Sequence, residues 1–380
     1  MRILFLGEAS SVYTRVWAEH FAAAFGHEVH LGSLQDPGTA LRGVTFHPLG
    51  RRMARLGYLA AIPAARALGR TLKPDLTVAY RVTSYGVLAA GAGLHPLVMA
   101  AQGQYIAWPP HSIMKRLLAR YALARADLVT SWGAHMTRNI ARLGCDISKV
   151  RTLAYGIDVD HFCPDPDRPR PNQPPRLLST RAMRHDYNLE QILRALAEVA
   201  RAFPHVVWTA VGEGPERGRL AVLAERLGIR ANVELPGRVS FARLVELLRA
   251  ADVYVSTVPT DGVSASLLEA MACGAWPVVT DNEANRLWIR PGVTGDLVPV
   301  HDANAAARAI AGALSDPTRA KAAREANLTM VRERACLSRN MAVIDRMFRA
   351  LVEGGISRVP PVPADLQVPL PSLQSENLKS

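Results

Sequence analysis

The sequence predicts an α/β protein with two tandem Rossmann-like, doubly wound domains. Its 380 residues exceed one ordinary domain of about 100–200 residues. Apolar, strand-like runs alternate with amphipathic helical runs, which is the pattern of a parallel sheet covered by helices. A proline-rich stretch at residues 162–175 interrupts this alternation, because proline disfavours both helices and central strands. We therefore expect one domain on each side of that stretch.

The first domain opens with an apolar strand, residues 2–7, that ends at a glycine. Later apolar runs of similar length are separated by helical stretches, so they predict further strands of one parallel sheet. These further predicted strands are residues 28–32, 76–80, 97–101, 128–131 and 150–154. The predicted helices include residues 13–25, 113–124 and 135–143.

The second domain repeats the same alternation. Its predicted strands are residues 176–180, 206–211, 233–235, 253–256 and 277–279. Its predicted helices are residues 189–202, 217–227, 241–250 and 265–272, followed by closing helices at 319–333 and 338–352. Ligands of such sheets bind beyond the carboxyl ends of the strands, so the loops that follow strands are the candidate functional positions.

These patterns divide the chain into four parts. We expect an acceptor-side domain at residues 1–165 and a donor domain at residues 166–335. A closing helix at residues 336–353 is expected to return to the first domain. Residues 354–380 are rich in proline and polar residues, which predicts a disordered tail.

Composition excludes a disordered or fibrous chain, since 49% of the residues are hydrophobic and 21% are charged. The four cysteines are far apart in sequence, which predicts unpaired thiols in a reducing compartment. The sequence has neither a signal peptide nor an apolar run of 18 residues, so we expect a cytoplasmic protein.

The formal charge of +12 has two explanations. Arginine supplies 40 of the 45 basic residues, which indicates a compositional bias, yet residues 1–165 hold 18 basic against 10 acidic residues. Two basic stretches there have the apolar spacing of amphipathic helices, which favours contact with an anionic membrane surface. Aromatic residues that would stack on bases do not accompany them, which disfavours nucleic acid as a partner. The two stretches contain Arg51, Arg52, Arg55, Arg66, Arg70 and Lys73, then Lys115, Arg116, Arg120 and Arg125.

The sharpest local motif is residues 261–274, DGVSASLLEAMACG, between a predicted strand and a helix that ends at glycine. Asp261 precedes the helix and Glu269 lies inside it; each carboxylate can accept hydrogen bonds from neighbouring sugar hydroxyls. The backbone amides at the helix start favour a phosphate. The alternative is a helix cap and a solvated acid, but the apolar residues around Glu269 disfavour it. The amides concerned belong to Val263, Ser264 and Ala265.

This motif resembles the acidic E-x7-E motif of retaining glycosyltransferases with the GT-B fold, most closely glycosyltransferase family 4 (glycosyl transferases group 1), with Asp261 in place of the first Glu. Other segments resemble motifs of that family in the same order, and together they span nearly residues 1–350. They are residues 124–129 (ARADLV), 155–158 (YGID), 211–215 (VGEGP), 235–239 (LPGRV) and 292–295 (GVTG).

The resemblance implies two Rossmann-like domains that face across a cleft, and roles for particular residues. Glu269 would bind the ribose of a nucleotide-sugar donor, Asp261 would contact the donor sugar, and Arg181 would neutralise the departing diphosphate. These three are the implied catalytic residues. The implied donor-binding residues are Gly262, Val263, Ser264, Ala265, Arg184, Tyr187, Gly212, Gly214, Gly237, Arg238 and Val239. The acceptor-side candidates are Gly7, Glu8, Ser10, Gln102, Gln104 and Tyr105.

The chain departs from the family pattern at several positions. The usual phosphate-binding Lys after Arg181 is missing, and Arg184, His185 or Tyr187 could replace it. Ser264 stands where the family's loop has Gly. The usual Gly-Gly turn after the first strand is replaced by Gly7-Glu8-Ala9-Ser10, and the loop at residues 102–105 has no easily ionised base. A retaining mechanism tolerates that, because the leaving phosphate can take the acceptor proton.

We therefore expect a metal-independent retaining glycosyltransferase without a cofactor, which uses a nucleotide sugar as donor. The expected acceptor is a hydroxyl in glycan, glycolipid or secondary-metabolite biosynthesis. One alternative is an inactive nucleotide-sugar-binding partner subunit, which the missing Lys favours. A second is a nucleotide-sugar epimerase, although the loop at residues 102–105 offers no acid–base pair. A dehydrogenase is disfavoured because the first loop lacks GxGxxG.

Overall fold

A computed structural model describes residues 1–50, 57–101, 112–165 and 173–367. The chain divides into two compact units: residues 155–337 form the second, and residues 1–154 together with the chain from residue 338 onward form the first. Several residues named above lie outside the described ranges. They are Gln102, Gln104, Tyr105, Arg51, Arg52 and Arg55.

Within the described residues, the sheet of the first unit has seven strands, all parallel. The strands are β1 (Arg2–Leu6), β2 (Glu28–Ser33), β3 (Val44–Pro48), β4 (Leu76–Tyr80), β5 (Leu97–Ala101), β6 (Leu128–Ser131) and β7 (Val150–Thr152). Their order across the sheet is β3-β2-β1-β4-β5-β6-β7. Phe5 of β1 is in register with Leu31 of β2 and Val78 of β4. The predicted apolar runs are therefore the buried centre of the sheet.

Helices flank this sheet because each has an apolar face to bury. They are α1 (Val12–Phe25), α2 (Gly57–Ala60), α3 (Ile62–Leu72), α4 (Val87–Ala92), α5 (Ile113–Ala124) and α6 (Ala134–Arg142). A π-helical segment, Arg81–Gly86, leads from β4 into α4. The rings of Trp17 in α1 and Tyr80 in β4 pack edge to face with centroids 5.6 Å apart, which fixes α1 against the sheet.

The second unit has a six-stranded parallel sheet within the described residues. Its strands are β8 (Arg176–Ser179), β9 (Val207–Val211), β10 (Val233–Gly237), β11 (Val253–Ser256), β12 (Trp276–Thr280) and β13 (Asp296–Val298). Their order is β10-β9-β8-β11-β12-β13. The helices are α7 (Leu189–Ala202), α8 (Arg217–Arg226), α9 (Phe241–Ala250), α10 (Ala265–Cys273), α11 (Ala303–Ser315) and α12 (Pro317–Arg334). Two parallel-sheet α/β units confirm the predicted fold class.

Several elements were not predicted from the sequence, and β3, β13 and α11 are three of them. The strand β3 lies at the sheet edge and alternates exposed with half-buried residues, so it lacks a continuous apolar run. The strand β13 has only three residues. The helix α11 buries a face built largely from alanine, which gives little contrast with its polar side. A weak hydrophobic pattern explains each omission.

The last helix, α13 (Leu337–Gly354), joins the first unit from the far end of the chain. Its buried Asp345 accepts a hydrogen bond from His27 of the first unit, with Nε2 and Oδ1 2.6 Å apart. Arg349, one turn further along α13, donates to the other oxygen of Asp345 at 2.8 Å. Phe348 stacks on Phe21 of α1 with centroids 5.2 Å apart. Polar and aromatic contacts together hold α13 in place.

The expectation of a disordered tail is wrong for the part that the structure describes, residues 354–367. Val359, Val362 and Leu366 are buried there, and Gln367 forms a β-bridge with Leu153. The guanidinium of Arg151 donates to the carbonyl oxygens of residues 359 and 360, each at 3.0 Å. Proline prevents a regular helix or strand, but apolar side chains and backbone acceptors still pack this segment against the first unit.

In the parts of the chain that the structure covers, no helix combines the length and the apolar character that crossing a membrane requires.

Candidate functional site

The candidate donor site lies at the carboxyl edge of the second sheet. In the order β10-β9-β8-β11, strands β8 and β11 are neighbours from which the chain continues in opposite directions across the sheet. This is the topological switch point, where ligands of doubly wound sheets bind. Arg181 follows β8, and Asp261 lies in the loop after β11. The topology therefore brings together two predicted residues that are 80 positions apart.

Arg181 connects this loop to the start of α10. One guanidinium nitrogen, Nη2, donates to Asp261 Oδ2 and to Ser264 Oγ, each at 2.5 Å. The side chains of Arg181 and Asp261 are only 13% and 12% exposed. Asp261 also accepts a hydrogen bond from the Gly262 amide at 2.8 Å. A charge pair this sequestered is screened weakly by water, so it holds the two loops firmly.

At the start of α10, the backbone amides of Val263, Ser264 and Ala265 were all expected to be available for a phosphate, and the structure differs from this in part. Ser264 is the N-cap residue, and its hydroxyl accepts from the Leu267 amide at 3.3 Å. The Ala265 amide donates to the Val263 carbonyl at 3.1 Å, so it is already used. Among the described residues, the amides of Val263 and Ser264 have no hydrogen-bond acceptor. Two of the three amides thus remain able to receive a ligand.

Glu269 lies one turn further into α10 and is half-buried. Burial raises the pKa of its carboxyl from 4.5 to about 7, and the positive charge of Arg181 opposes part of that rise. No group in the described part of the chain donates a hydrogen bond to this carboxylate. A half-buried acid without a donor is costly in the absence of a ligand. Glu269 is therefore suited to accept hydrogen bonds from ligand hydroxyls.

Two glycines let the loop after β9 pack directly on the loop that carries Arg181. A Cβ atom on Gly212 would come within 2.5 Å of the Arg181 carbonyl oxygen, and one on Gly214 within 2.1 Å of the Met183 carbonyl oxygen. Backbone hydrogen bonds close the contact, since the amide of Met183 donates to the Glu213 carbonyl at 3.0 Å. The glycines thus act on the site through the backbone position of Arg181.

The end of β10 contacts the loop after β9. The carbonyl of Gly237, the last residue of β10, accepts a hydrogen bond from the Gly212 amide at 3.0 Å. Gly237 has φ +80, a left-handed conformation that favours glycine. Arg238 is exposed and Val239 is half-buried directly after it. These two residues lie at the same edge of the sheet as Arg181.

The three candidates for the missing Lys are in different surroundings. The ring centre of Tyr187 is 5.8 Å from the guanidinium carbon of Arg181. Arg184 is exposed and donates to both carboxylate oxygens of Asp186, at 2.9 and 3.2 Å. His185 begins a short 3₁₀ turn and lines a small pocket together with Arg184 and Arg219. Of the three, the structure places Tyr187 beside Arg181.

The acceptor-side candidates lie at the carboxyl edge of the first sheet. Gly7 directly follows β1, and a Cβ there would come within 2.8 Å of Thr14, which explains the absence of a side chain. Ser10 donates to Gln35 at 3.0 Å. Glu8 accepts from Arg81 Nη1 at 2.8 Å. Gln102, Gln104 and Tyr105 lie outside the described residues.

Arg81 is a residue that sequence reasoning missed. It follows β4 with φ +65, a left-handed conformation that costs a residue with a side chain about 1–2 kcal/mol. In the order β3-β2-β1-β4, the strands β1 and β4 form the switch point of the first sheet. The only signal in the sequence was an arginine directly after a predicted strand. The strained backbone is a property of the folded chain.

Groups of acidic, histidine or cysteine side chains that could hold a metal ion do not occur in the described parts of either unit.

Two family models match consecutive parts of this chain. The model described as glycosyl transferase 4-like matches residues 2–132, and the model described as glycosyl transferases group 1 matches residues 165–329. The second match contains Arg181, Asp261 and Glu269. The chain is similar to glycosyltransferase family 4 in both halves. This agrees with the resemblance seen in the motifs.

The names of two curated relatives of this chain mention phosphatidylinositol compounds. The chain is 28% identical over 252 residues to a GDP-mannose-dependent alpha-(1-6)-phosphatidylinositol monomannoside mannosyltransferase of Mycolicibacterium smegmatis, covering 62% of this chain and 65% of the relative. It is 30% identical over 209 residues to a phosphatidyl-myo-inositol mannosyltransferase of the same organism, covering 53% and 50%. The matches thus span about half to just under two thirds of these relatives.

Solved structures share the fold over nearly the whole chain. Alr3699/HepE of Anabaena in complex with UDP superposes with a TM-score of 0.76 at 18% identity, covering 92% of this chain and all of that one. Sucrose-phosphate synthase of Thermosynechococcus elongatus gives 0.79 at 19% identity, covering 93% and 99%. At this identity the similarity shows the fold, which is GT-B.

Proposed function

We propose that this protein is a retaining glycosyltransferase that transfers a sugar from a nucleoside diphosphate sugar to a hydroxyl of a glycolipid acceptor. The observation that carries the proposal is the arrangement around Arg181. Its guanidinium binds Asp261 and Ser264, while the nearby Glu269 carboxylate has no hydrogen-bond donor in the described residues. A sugar diphosphate nucleoside offers the matching groups, namely a dianionic diphosphate and vicinal hydroxyls.

Each residue then has a chemical task. Arg181 neutralises the negative charge that develops on the diphosphate as the bond from the sugar carbon breaks. The amides of Val263 and Ser264 add partial positive charge at the same helix terminus. Glu269 accepts hydrogen bonds from the ribose hydroxyls, and Asp261 from a hydroxyl of the donor sugar.

Retention follows if the acceptor attacks from the side that the diphosphate leaves. The departing phosphate oxygen then takes the acceptor proton, and the glycosidic bond forms on the face where the old bond broke. This route requires no basic side chain near the acceptor. It also requires no metal ion, because Arg181 and the helix terminus supply the positive charge.

The names of the relatives suggest where to look for substrates. One is GDP-mannose-dependent, two act on phosphatidylinositol compounds, and one structural neighbour was solved with UDP. We therefore propose GDP-mannose and UDP-glucose as the first donors to test, with phosphatidylinositol or its mannosides as first acceptors.

The deciding experiment is a thermal-shift screen of UDP, GDP, ADP, TDP and CMP, followed by a nucleotide-release assay. A ligand that binds the folded state raises the melting temperature by mass action. A selective shift that Glu269→Gln abolishes supports the donor site. No shift with any nucleotide would refute the proposed function, and selective binding without turnover on any acceptor would favour the partner-subunit alternative.

We also propose that α5 contacts an anionic membrane that carries the acceptor. Ile113, Met114 and Leu117 are 77%, 64% and 57% exposed on this helix, beside the exposed Lys115 and Arg116. Apolar side chains bordered by cations fit the surface of an anionic bilayer. In the described part of the other basic stretch, the guanidinium of Arg66 already donates to the backbone carbonyls of residues 91 and 92.

Co-sedimentation with vesicles tests this contact. Wild-type protein should sediment with vesicles of phosphatidylcholine and phosphatidylglycerol, and less with phosphatidylcholine alone. Leu117→Glu should reduce sedimentation strongly. Val222→Glu, at an exposed position of α8 in the second unit, is the matched control and should have no effect. Sedimentation that does not depend on anionic lipid would contradict the proposal.

A further inference from the structure

Each of the two sheets has an ion pair between an arginine and an acidic residue at its switch point. In the second sheet, Arg181 after β8 pairs with Asp261 after β11. In the first sheet, Glu8 after β1 pairs with Arg81 after β4 at 2.8 Å. The strands β1 and β4 occupy the same positions in the first sheet as β8 and β11 occupy in the second. The acid follows the earlier strand of the pair in the first sheet and the later strand in the second sheet, and the arginine has the opposite placement. An acid–guanidinium pair therefore marks each position where a doubly wound sheet receives a ligand.

The guanidinium of Arg81 is accessible to a ligand from solvent. Arg81 is 45% exposed and Glu8 is 24% exposed, in contrast to the sequestered pair in the second sheet. Glu8 receives its hydrogen bond from Nη1. The fork-shaped guanidinium has four further N–H donors. Arg81 can thus bind a second anion while it stays in contact with Glu8.

The backbone at Arg81 indicates that this side chain serves a purpose other than stability. Its φ of +65 is a conformation in which glycine would be more stable. Strained residues of this kind concentrate at ligand-binding positions. The segment behind it is well fixed, because the buried Tyr85 hydroxyl is 3.1 Å from Ser33 Oγ and receives the Leu34 amide at 3.2 Å.

We propose that Arg81 and Glu8 form the acceptor subsite of the first unit, and that it binds a polyol or sugar that carries a phosphate ester. Arg81 binds two phosphate oxygens, a geometry that suits a guanidinium better than an ammonium. Glu8 accepts a hydrogen bond from a neighbouring hydroxyl. This inference rests on the proposed glycosyl transfer, since it names the class of its acceptor.

Calorimetric titration of the full chain tests the subsite, with GDP or UDP present to occupy the Arg181 site. The soluble probes are glycerophosphoinositol, myo-inositol and glucuronate. Phosphatidylcholine vesicles with and without phosphatidylinositol form a second arm. Binding of glycerophosphoinositol indicates that a free ester suffices, whereas binding of the lipid vesicles alone indicates a membrane headgroup; either result supports the phosphate class if Arg81 is required.

Arg81→Gly is the decisive variant because it removes the guanidinium and relieves the strained backbone at once. We expect it to weaken binding of the phosphate-bearing probe about 10-fold or more without lowering the melting temperature. Lys73→Gly is the matched control, since Lys73 also has positive φ but precedes β4 at the opposite edge of the sheet. It should leave binding unchanged. Arg81→Lys should recover only part of the affinity.

Three results would overturn the inference: equal binding by wild type and Arg81→Gly, no binding of either phosphate-bearing probe by wild type, or equal affinity for glucuronate. Failure of the proposed function would appear in a different measurement from failure of this inference. Nucleotide binding, read by thermal shift, depends on Glu269 and is expected to be unchanged in Arg81→Gly.

Discussion

The α-carbon of Gly214 faces the carbonyl oxygen of Met183 so closely that an added methyl carbon would lie 2.1 Å from that oxygen. No rotamer relieves such a contact, because both partners are backbone or Cβ atoms. The loop after β9 and the loop that carries Arg181 are therefore one rigid element. Gly214 can therefore affect the candidate donor site through the backbone that carries Arg181, without contacting a ligand itself.

Gly214→Ala should push the two loops apart. We expect a loss of about 1–3 kcal/mol in the free energy of unfolding, and weaker nucleotide binding because Arg181 moves. Urea denaturation and thermal shift with nucleotide measure the two effects. Gly218→Ala, in α8 with no atom within 4 Å of the added carbon, is the control and should stabilise the protein by about 0.5–1 kcal/mol. Equal behaviour of the two variants would contradict the prediction.

Arg181→Lys should reduce nucleotide release by roughly 10²–10³-fold. An ammonium on a shorter, flexible stem cannot reproduce the contacts to Asp261 and Ser264 and still present donors to a diphosphate. Steady-state kinetics with saturating donor measure the effect on kcat. Arg184→Lys makes the same change at an exposed position paired with Asp186, and a similar loss there would show that Arg181 is not special.

Glu269 should make stability depend on pH. Its pKa is raised from 4.5 to about 7 in the folded state, so between these values the folded chain binds more protons than the unfolded chain. The free energy of unfolding therefore falls as pH rises through this window, by at most about 3 kcal/mol from this group, and levels off above it. Urea denaturation across the window measures the slope.

Glu269→Gln should remove this slope, so that its stability advantage over wild type grows with pH. The same variant should lose nucleotide binding, because the amide cannot replace a charged acceptor of two ribose hydroxyls. Glu225→Gln, at an exposed position of α8, is the control. A difference between Glu269→Gln and wild type that stays constant across the window between the two pKa values would refute the assignment.

Leu366→Ala should destabilise the protein by about 2–5 kcal/mol, because Leu366 is buried in the segment expected from composition to be disordered. Thermal and urea denaturation measure the loss. Leu117→Ala makes the same change at an exposed position of α5 and should stay within about 0.5 kcal/mol of wild type. Wild-type stability of Leu366→Ala would mean that residues 354–367 do not contribute to folding.

The sequence was informative where one short segment holds the signal. Asp261 and Glu269 lie in a single strand–helix motif that the local sequence indicates, whereas Arg181 was implied by the family resemblance. The central strands were equally clear, because burial on both faces gives a continuous apolar run.

Features that depend on distant segments were not predictable in the same way. The left-handed backbone of Arg81 and its contact with Glu8 arise when β1 and β4 become neighbours. The hydrogen bond from the Ala265 amide to the Val263 carbonyl also depends on the folded path of the loop. In residues 354–367, the proline-rich and polar composition predicted disorder, although three apolar side chains are present. Their burial depends on tertiary contacts, which composition does not reveal.

The pairing of His27 with Asp345 has a consequence for biosynthesis. These residues are 318 positions apart, and the whole second unit is encoded between them. Domains generally fold as they emerge from the ribosome, the N-terminal one first. Here the first unit is completed last. The second unit can finish while α13 is still inside the exit tunnel, and the first unit is complete only after α13 has emerged. Until then, Phe21 and its neighbours lack the cover that Phe348 provides. We therefore expect chaperones to bind the N-terminal part of the nascent chain.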